Sequence, residues 1–325
     1  MALALVTGGT GFLGRPLVEA LLQRGRKVRV LGRRVVARWR HNPNLEHLRA
    51  DISQPGVLEE ALESVDSVFH LAAATSGRSW DVYYRTTVEA TGRLLELFAQ
   101  HGGGRVVLVS SSGIHDMASL ADGLEADEDW PLETNPDARG FYTKAKLLAD
   151  LAAQKFLGHP SVRLTIVRPG LIYGPAMGDP LGNVTVSIRG KLVLNMPDRP
   201  VPLVYVGDVV AALLQIEADE RSVGRSYNLV RWPAESAHRY IALYRQLSGD
   251  NRRMLALPMG IVLRLLRAAD AAARLFGLGD RHLERKARVL SAGMNFSGRR
   301  AAKELGVLCP TALTDGIERM LRRMH

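Results

Sequence analysis

Cysteine is almost missing. Cys309 is the single one among 325 residues, so no intrachain disulfide can form, and a reducing, cytoplasmic setting is expected. No apolar run is long enough to span a bilayer. The first strand-like run starts almost at Met1, so no signal peptide is expected. No cysteine and histidine spacing of a zinc site occurs, and no metal centre is expected. Internal repeats and low-complexity segments are also lacking. Aromatic residues make up only 6% of the chain, whereas 46% of it is hydrophobic, enough to bury a large core.

Negative charge is in deficit. The formal net charge is +10, and most of the basic residues are arginines. They cluster at 24–40, 281–303 and 319–323 and are otherwise scattered. Such a balance can signal nucleic acid or an anionic membrane. No nucleic-acid motif accompanies it, so a solvated basic surface is the expectation and no nucleic-acid partner is. Met259–Phe276 is apolar and carries Arg264, Arg267 and Arg274. It reads as a core-packing helix, with a helix lying on a membrane surface as the alternative.

What is present begins at the N-terminus. Leu3–Val6 reads as a buried strand. Gly8, Gly11 and Gly14 then turn the chain into an amphipathic helix, Leu13–Arg24. Strand, glycine turn and helix in this order suit a dinucleotide pyrophosphate. Gly8 permits the turn, Gly11 lets the backbone approach the phosphates and Gly14 lets the helix pack closely. The helix N-terminus supplies N–H donors and positive potential.

Strands are expected at Lys27–Leu31, Leu45–Arg49, Ser67–Leu71, Arg105–Ser110 and Val162–Val167. Helical patterns at Pro55–Ser64, Trp80–His101 and Tyr142–Leu157 lie between them. This alternation predicts an α/β fold, a doubly wound parallel sheet with ligands at the carboxyl ends of its strands. After Pro169 the rhythm breaks. Residues 170–203 read as loops with short elements. Val204–Val206 then reads as a strand, Asp208–Ala218 as a helix and Ser226–Val230 as a last strand. Residues 1–175, with 204–230 returning to them, are expected to form the dinucleotide-binding domain. Residues 176–203 and 231–325 are expected to form a smaller, mostly helical substrate lobe.

An acidic residue closing the second strand would bind ribose hydroxyls and repel a 2′-phosphate. Gly32 stands there instead, followed by Arg33 and Arg34. Guanidinium matches phosphate geometry, so NADP(H) is preferred, with Arg33 as the main contact and Arg34, Arg38 or Arg40 assisting. NAD(H) remains open. Asp51 and Ile52 stand where adenine would be bound, although Asp51 also suits a cap ahead of Pro55. Leu71, Ala72 and Ala73 let the backbone run close to the cofactor.

Tyr142 and Lys146 share a helix face four residues apart. A free phenol has a pKa near 10, and an adjacent ammonium and a positive nicotinamide ring both favour its ionisation. The spacing therefore predicts an acidic Tyr142 acting as general base or acid, with Lys146 also holding the ribose. Among Ser110–Ser112 a hydroxyl can orient the substrate oxygen. Ser112 is the first choice and Ser111 the second.

The chain resembles the extended short-chain dehydrogenase/reductase superfamily, NAD-dependent epimerase/dehydratase type. The likeness rests on TGGTGFLG at 7–14, AD at 50–51, HLAA at 70–73, VSSS at 109–112, YTKAK at 142–146 and RPGLIYGP at 168–175. VYVGDVVAA at 204–212, YNLV at 227–230 and AAKELGV at 301–307 continue it. The resemblance implies a Rossmann fold, with Gly8, Gly11, Phe12, Leu13 and Gly14 on pyrophosphate and Arg33 on a 2′-phosphate. It implies Asp51 and Ile52 on adenine, Leu71, Ala72 and Ala73 on ribose, and Pro169 and Ile172 beside nicotinamide. Ser112, Tyr142 and Lys146 would be catalytic. A homodimer and a small-molecule substrate would be typical.

Three departures stand out. Thr87 replaces a frequent asparagine, so a proton relay or water site is expected to differ. Asp116-Met117 replaces a tyrosine-glycine pair in a loop expected to face substrate. Arg199 lies at the wrong spacing for the usual diphosphate arginine. The leading reading is an NADP(H)-dependent reductase or dehydrogenase of small, largely apolar substrates, as in the branch resembling dihydroflavonol reductases and 3β-hydroxysteroid dehydrogenases. Leu255, Leu257, Ile261, Leu265 and Phe276 in the C-terminal lobe support it. The alternatives are a nucleotide-sugar epimerase, dehydratase or ketoreductase, with Arg189, Lys191 and Arg199 on a diphosphate, and a non-catalytic cofactor-binding protein. Glu125–Asp129 reads as a solvated acidic loop or a lid.

Overall fold

The computed structural model describes residues 2–77, 79–117, 124–177, 181, 184–188, 192–195, 198–256, 258–276 and 293–322. Leu257, Arg189 and Lys191, named above, lie outside them. β1 (Leu3–Thr7), β2 (Lys27–Leu31), β3 (Leu45–Leu48), β4 (Ser67–His70), β5 (Gly104–Val109) and β6 (Val162–Pro169) alternate with helices. These are α1 (Gly14–Gln23), α2 (Val57–Leu62), α3 (Trp80–Tyr83), α4 (Ala90–Gln100) and α5 (Gly140–Gln154). Between α3 and α4 the helix widens into a π-turn, Tyr84–Glu89.

The six strands, joined by a later one at Ser226–Leu229, form a single seven-stranded parallel sheet. β1 lies between β2 and β4. The chain therefore leaves β1 in one direction and returns on the other side. The crevice at that reversal, outside the carboxyl ends of the strands, is where such sheets bind ligands.

Period-two alternation explains the two covered faces. Ala4 and Val6 of β1 face a core with Val28, Val30, Phe69, Val107 and Val109. Leu17, Val18 and Leu21 of α1 cover it. Leu3 and Leu5 face the opposite core with Val68, Val106, Leu108 and Leu164, under Leu58 and Leu62 of α2 and Leu94 and Phe98 of α4. Each fully buried leucine, valine or phenylalanine contributes about 1.5–3 kcal/mol. With apolar residues on both sides of every strand, neither face can be left to water.

After β6 come β7 (Leu171–Tyr173), β8 (Val186–Ile188), β9 (Leu192–Asn195), β10 (Pro200–Val201) and β11 (Leu203–Tyr205). β11 does not enter the main sheet. It pairs in parallel with β7 as a two-stranded ribbon. α6 (Val206–Ala218) follows and lays Val209, Leu213 and Ile216 on the α1 face. β12 (Ser226–Leu229) then takes the edge position beside β6. β13 (Glu235–Ser236), α7 (Ala237–Ser248), β14 (Arg253–Ala256), α8 (Met259–Leu275), α9 (Arg299–Leu305) and α10 (Leu313–Leu321) complete the chain.

α8 is only partly a core helix. Val262, Leu266 and Ala273 are buried, but Ile261, Leu265, Leu275 and Phe276 are exposed. Among the described residues, no helix is long and apolar enough to cross a membrane. The acidic segment at 125–129 exposes Asp127 and Asp129 and buries Ala126 and Glu128. Its carboxylates pair with Arg299 and Arg300, Ala126 bridges to Phe296, and Glu128 accepts the Asn228 N–H.

Candidate active site

A cavity of about 750 Å³ opens at the carboxyl ends of β1, β2, β4, β5 and β6. The glycine turn forms one wall. Gly8 has a φ of +70°, and a Cβ there would lie 2.9 Å from the Ala72 nitrogen. A Cβ on Gly14 would come within 2.3 Å of the Gly8 carbonyl oxygen. The turn is tied by Gly8 N–H to the Leu31 carbonyl and by Gly11 N–H to the Gly8 carbonyl. α1 has no acidic residue in its first turn, so the positive end of its dipole stays unopposed by side chains. Gly9, outside the three-glycine pattern, packs on the sheet instead. Its Cβ would meet Val30 at 2.9 Å.

Gly8, Gly11, Phe12, Leu13, Gly14, Arg33, Asp51, Ile52, Leu71, Ala72, Ala73, Tyr142, Lys146, Pro169 and Ile172 all line this one cavity. Arg34, Arg38, Arg40 and Ser112, also named from the sequence, do not. Arg34 is exposed but off the wall. Ser112 is 3% exposed and opens the short turn Ser112–Ile114, off the cavity wall, whereas Ser110 and Ser111 stand on it. The Ser111 hydroxyl accepts the Gly113 N–H and so caps that turn. Asp51 accepts from the Ser53 N–H and hydroxyl, so one carboxylate oxygen shapes the loop while the residue faces the cavity. Arg38 pairs with Glu19.

Thr10, Thr75 and Thr86 also reach the cavity, and the sequence reading did not name them. Thr86 lies within the π-turn, where the wider helical step departs from the periodicity used to read the sequence. Its neighbour Thr87 is buried and accepts the Ala74 N–H at 2.9 Å. The hydroxyl at that departure from the family pattern therefore pins the backbone just after β4.

Thr87 ends a longer chain of bonds. Thr91 donates to the Thr87 carbonyl at 2.6 Å, so its oxygen accepts from His70 Nε2 at 2.9 Å. His70 Nδ1 must then accept from the Thr7 hydroxyl at 2.7 Å, whose oxygen accepts the Ala72 N–H. Each hydroxyl has one proton, so the first bond places a proton on Nε2. The Nδ1 direction is that of the neutral imidazole. Burial, with the Lys146 charge adding to it, pushes the His70 pKa down to about 3.

Tyr142 and Lys146 project from consecutive turns of α5. Lys146 is 7% exposed and donates to the Val109 carbonyl at 2.7 Å. Burial pushes its pKa down to about 8, with the Asp150 carboxylate one turn further on pulling partly back. Asp150 itself is held by Arg168 through two bonds of 3.0 and 2.8 Å, both side chains being buried. Burial raises the Asp150 pKa, and the bonds and charge of Arg168 more than reverse this.

Tyr142 corrects one expectation. Burial of the phenol in the cleft raises its pKa above the ordinary tyrosine value, even though the residue keeps 40% of its surface. Desolvation is the cause of this shift, and no charge of the protein outweighs it. Two further residues fall away from the site. Met117 is buried against Ala126, Val230 and Phe296 rather than facing the cavity. Arg199 is 6% exposed, with its guanidinium on the Val184 carbonyl.

The glycine cradle, the cavity and the Tyr142–Lys146 pair fit a nicotinamide dinucleotide. The model of the NAD dependent epimerase/dehydratase family matches residues 4–229. The chain is 33% identical over 180 residues to the 2-alkyl-3-oxoalkanoate reductase of Stenotrophomonas maltophilia, a match covering 53% of this chain and 51% of that protein. It thus spans about half the length of that relative. To sterol demethylase protein B of Methylococcus capsulatus it is 30% identical over 323 residues, 95% of this chain and 94% of that one. The fold is shared with MoeE5 in complex with UDP-glucuronic acid and NAD, at a TM-score of 0.75 and 24% identity, over 99% of this chain and 98% of that one. The chain belongs to the NAD-dependent epimerase/dehydratase family of extended short-chain dehydrogenases/reductases.

Proposed function

We propose that this enzyme is an NADP(H)-dependent carbonyl reductase of a small, largely apolar substrate. The carrying observation is Tyr142 on the wall of the glycine-lined cavity, one helical turn from Lys146. A phenol with a pKa near 10 or above carries its proton at neutral pH and has it to give in the reductive direction. A bound nicotinamide dinucleotide would supply the hydride in that direction and accept it in the other. Tyr142 Oη gives its proton to the substrate oxygen, and Lys146 supplies the charge that steadies the phenolate left behind. The serine segment orients that oxygen. Ser112 is the hydroxyl the family resemblance implies and Ser111 the one on the wall, so alanine variants at each rank the two.

Arg33, exposed at the cavity edge just after β2, supports a 2′-phosphate and hence NADP(H). Residues 1–175 with 204–230 are assigned to the cofactor, and 176–203 with 231–325 to the substrate. The names of the Stenotrophomonas and Methylococcus relatives point to apolar substrates bearing an oxygen function.

Tyr142→Phe should lower turnover at least a hundredfold and leave NADPH binding close to normal. Loss of binding in a folded variant would count against the assigned role. In the same titration, Arg33→Ala should weaken NADPH by about tenfold, the loss of one charge-assisted contact, and leave NADH unchanged. Equal effects on both cofactors would refute the phosphate assignment.

MoeE5 binds UDP-glucuronic acid and NAD on the same fold, which favours a nucleotide-sugar reading as the alternative. Against it, Arg199 is buried on a backbone carbonyl. Product analysis with UDP-sugars, without added cofactor, separates the two.

A further inference from the structure

We propose that Asp150 is a positioning residue for the Tyr142–Lys146 pair: its carboxylate, fixed by Arg168, supplies the negative charge that keeps the buried Lys146 ammonium protonated and in place. The inference rests on the catalytic reading of Lys146 given above. Lys146 and Asp150 are four residues apart on α5 and so share a face of it. Both side chains are buried. The ammonium donates to the Val109 carbonyl at 2.7 Å, which is a neutral acceptor. Asp150 cannot turn away. Arg168 donates to it at 3.0 and 2.8 Å, and Gln154 Nε2 donates at 2.7 Å. Ser110, on the cavity wall, lies against it. Arg168 also donates to the Glu128 carbonyl at 3.3 Å and directly precedes Pro169 on the same wall. The carboxylate thus ties the helix that bears Tyr142 and Lys146 to the end of β6.

The other elements packed around Lys146 leave this task to Asp150. His70 on β4 is neutral, and Tyr142 keeps its proton at neutral pH. Val109 and Ser110 on β5 carry no charge. Arg168 on β6 is a cation. On the π-turn, Arg85 and Glu89 are exposed; on α4, Glu96 is exposed and Arg93 pairs with Glu59. The Asp150 carboxylate is the charge that acts on Lys146 and opposes the effect of its burial. Stability does not account for the Asp150–Arg168 pair, because a buried ion pair adds little over well-packed apolar side chains. A charge held ready for a neighbouring lysine does account for it.

Carbon-13 NMR of the lysine Cε in the full chain reads the titration directly, with the Lys146 signal assigned through Lys146→Met. In the parent that signal should titrate near pH 8. Asp150→Asn keeps the shape and an acceptor for Arg168, and should lower the midpoint by at least about one pH unit. The double variant Asp150→Leu/Arg168→Met separates charge from stability. It should melt close to the parent and keep the lowered midpoint, since Lys146 still lacks its anion. If Asp150→Asn fails to fold, the double variant carries the test. An unmoved midpoint in a folded variant overturns the inference. So does a double variant whose midpoint returns to that of the parent, which would mean that the pair serves stability alone. Turnover with NADPH is read separately: if the midpoint falls as expected but Lys146→Met keeps full turnover, the catalytic reading fails and the charge assignment stands.

Discussion

Lys146→Met should stabilise the folded protein while removing its activity. Lys146 is buried, and its pKa is pushed down from 10.5 to about 8. The native state therefore holds the ammonium at a disadvantage of about 3 kcal/mol relative to the unfolded chain at neutral pH, at 1.36 kcal/mol per unit. Replacing it also removes the bond to the Val109 carbonyl, a loss of about 1–2 kcal/mol. Methionine keeps the length of the side chain and needs no proton. The balance leaves the variant about 1–2 kcal/mol more stable near neutrality.

The sign of the pH dependence follows from the depressed value. Between about pH 8 and 10.5 the unfolded chain holds this proton and the native protein has released it. Parent stability therefore rises with pH across that window and is lost again as pH falls through it, with no further change from this group below about 8. Lys146→Met lacks that slope. Urea unfolding of both proteins near neutrality and at about pH 10 reads the difference, in which other titrating groups cancel. A variant more than about 1 kcal/mol less stable than its parent near neutrality, or a difference that does not move with pH, would refute the argument. A lysine that holds the fold back yet is needed for turnover is what a functional site predicts.

Two further outcomes follow from the geometry. Gly14→Ala places a Cβ 2.3 Å from the Gly8 carbonyl oxygen and 2.6 Å from the Gly9 Cα. Backbone on both sides must shift, which should cost about 1–3 kcal/mol and abolish NADPH binding; unchanged melting and binding would refute the close approach. Asp150→Leu or Arg168→Met alone should destabilise by about 3–5 kcal/mol, because each leaves a buried charge without its partner. The double variant should recover most of that loss, and additive losses in a double-mutant cycle would show that the pair does not act as a unit.

The glycine turn, the alternation of strand and helix and the Tyr142–Lys146 spacing were legible in the amino-acid order because each is local. A positive φ at Gly8, a period of two in β1 and a repeat of four on α5 are written in neighbouring residues. So were most of the cavity residues, since they end strands whose carboxyl edges the parallel sheet must collect on one side.

What was not legible depends on residues far apart in the chain. The neutrality of His70 is decided by its burial and by the charge at 146, and its tautomer by the partner at position 91. Tyr142 is made less acidic, against the expectation from spacing alone, because the elements around the cleft desolvate its phenol. Ser111 and Ser112 are adjacent and chemically identical, and only the turn after β5 sends one to the wall and the other off it. β11 looks like any short strand, yet it pairs with β7 outside the main sheet. α8 has apolar residues enough for a core helix, but the protein covers only one of its two strips. Pattern states which side chains avoid water; packing states which of them have found cover, and burial then sets the charge of the groups that do the chemistry.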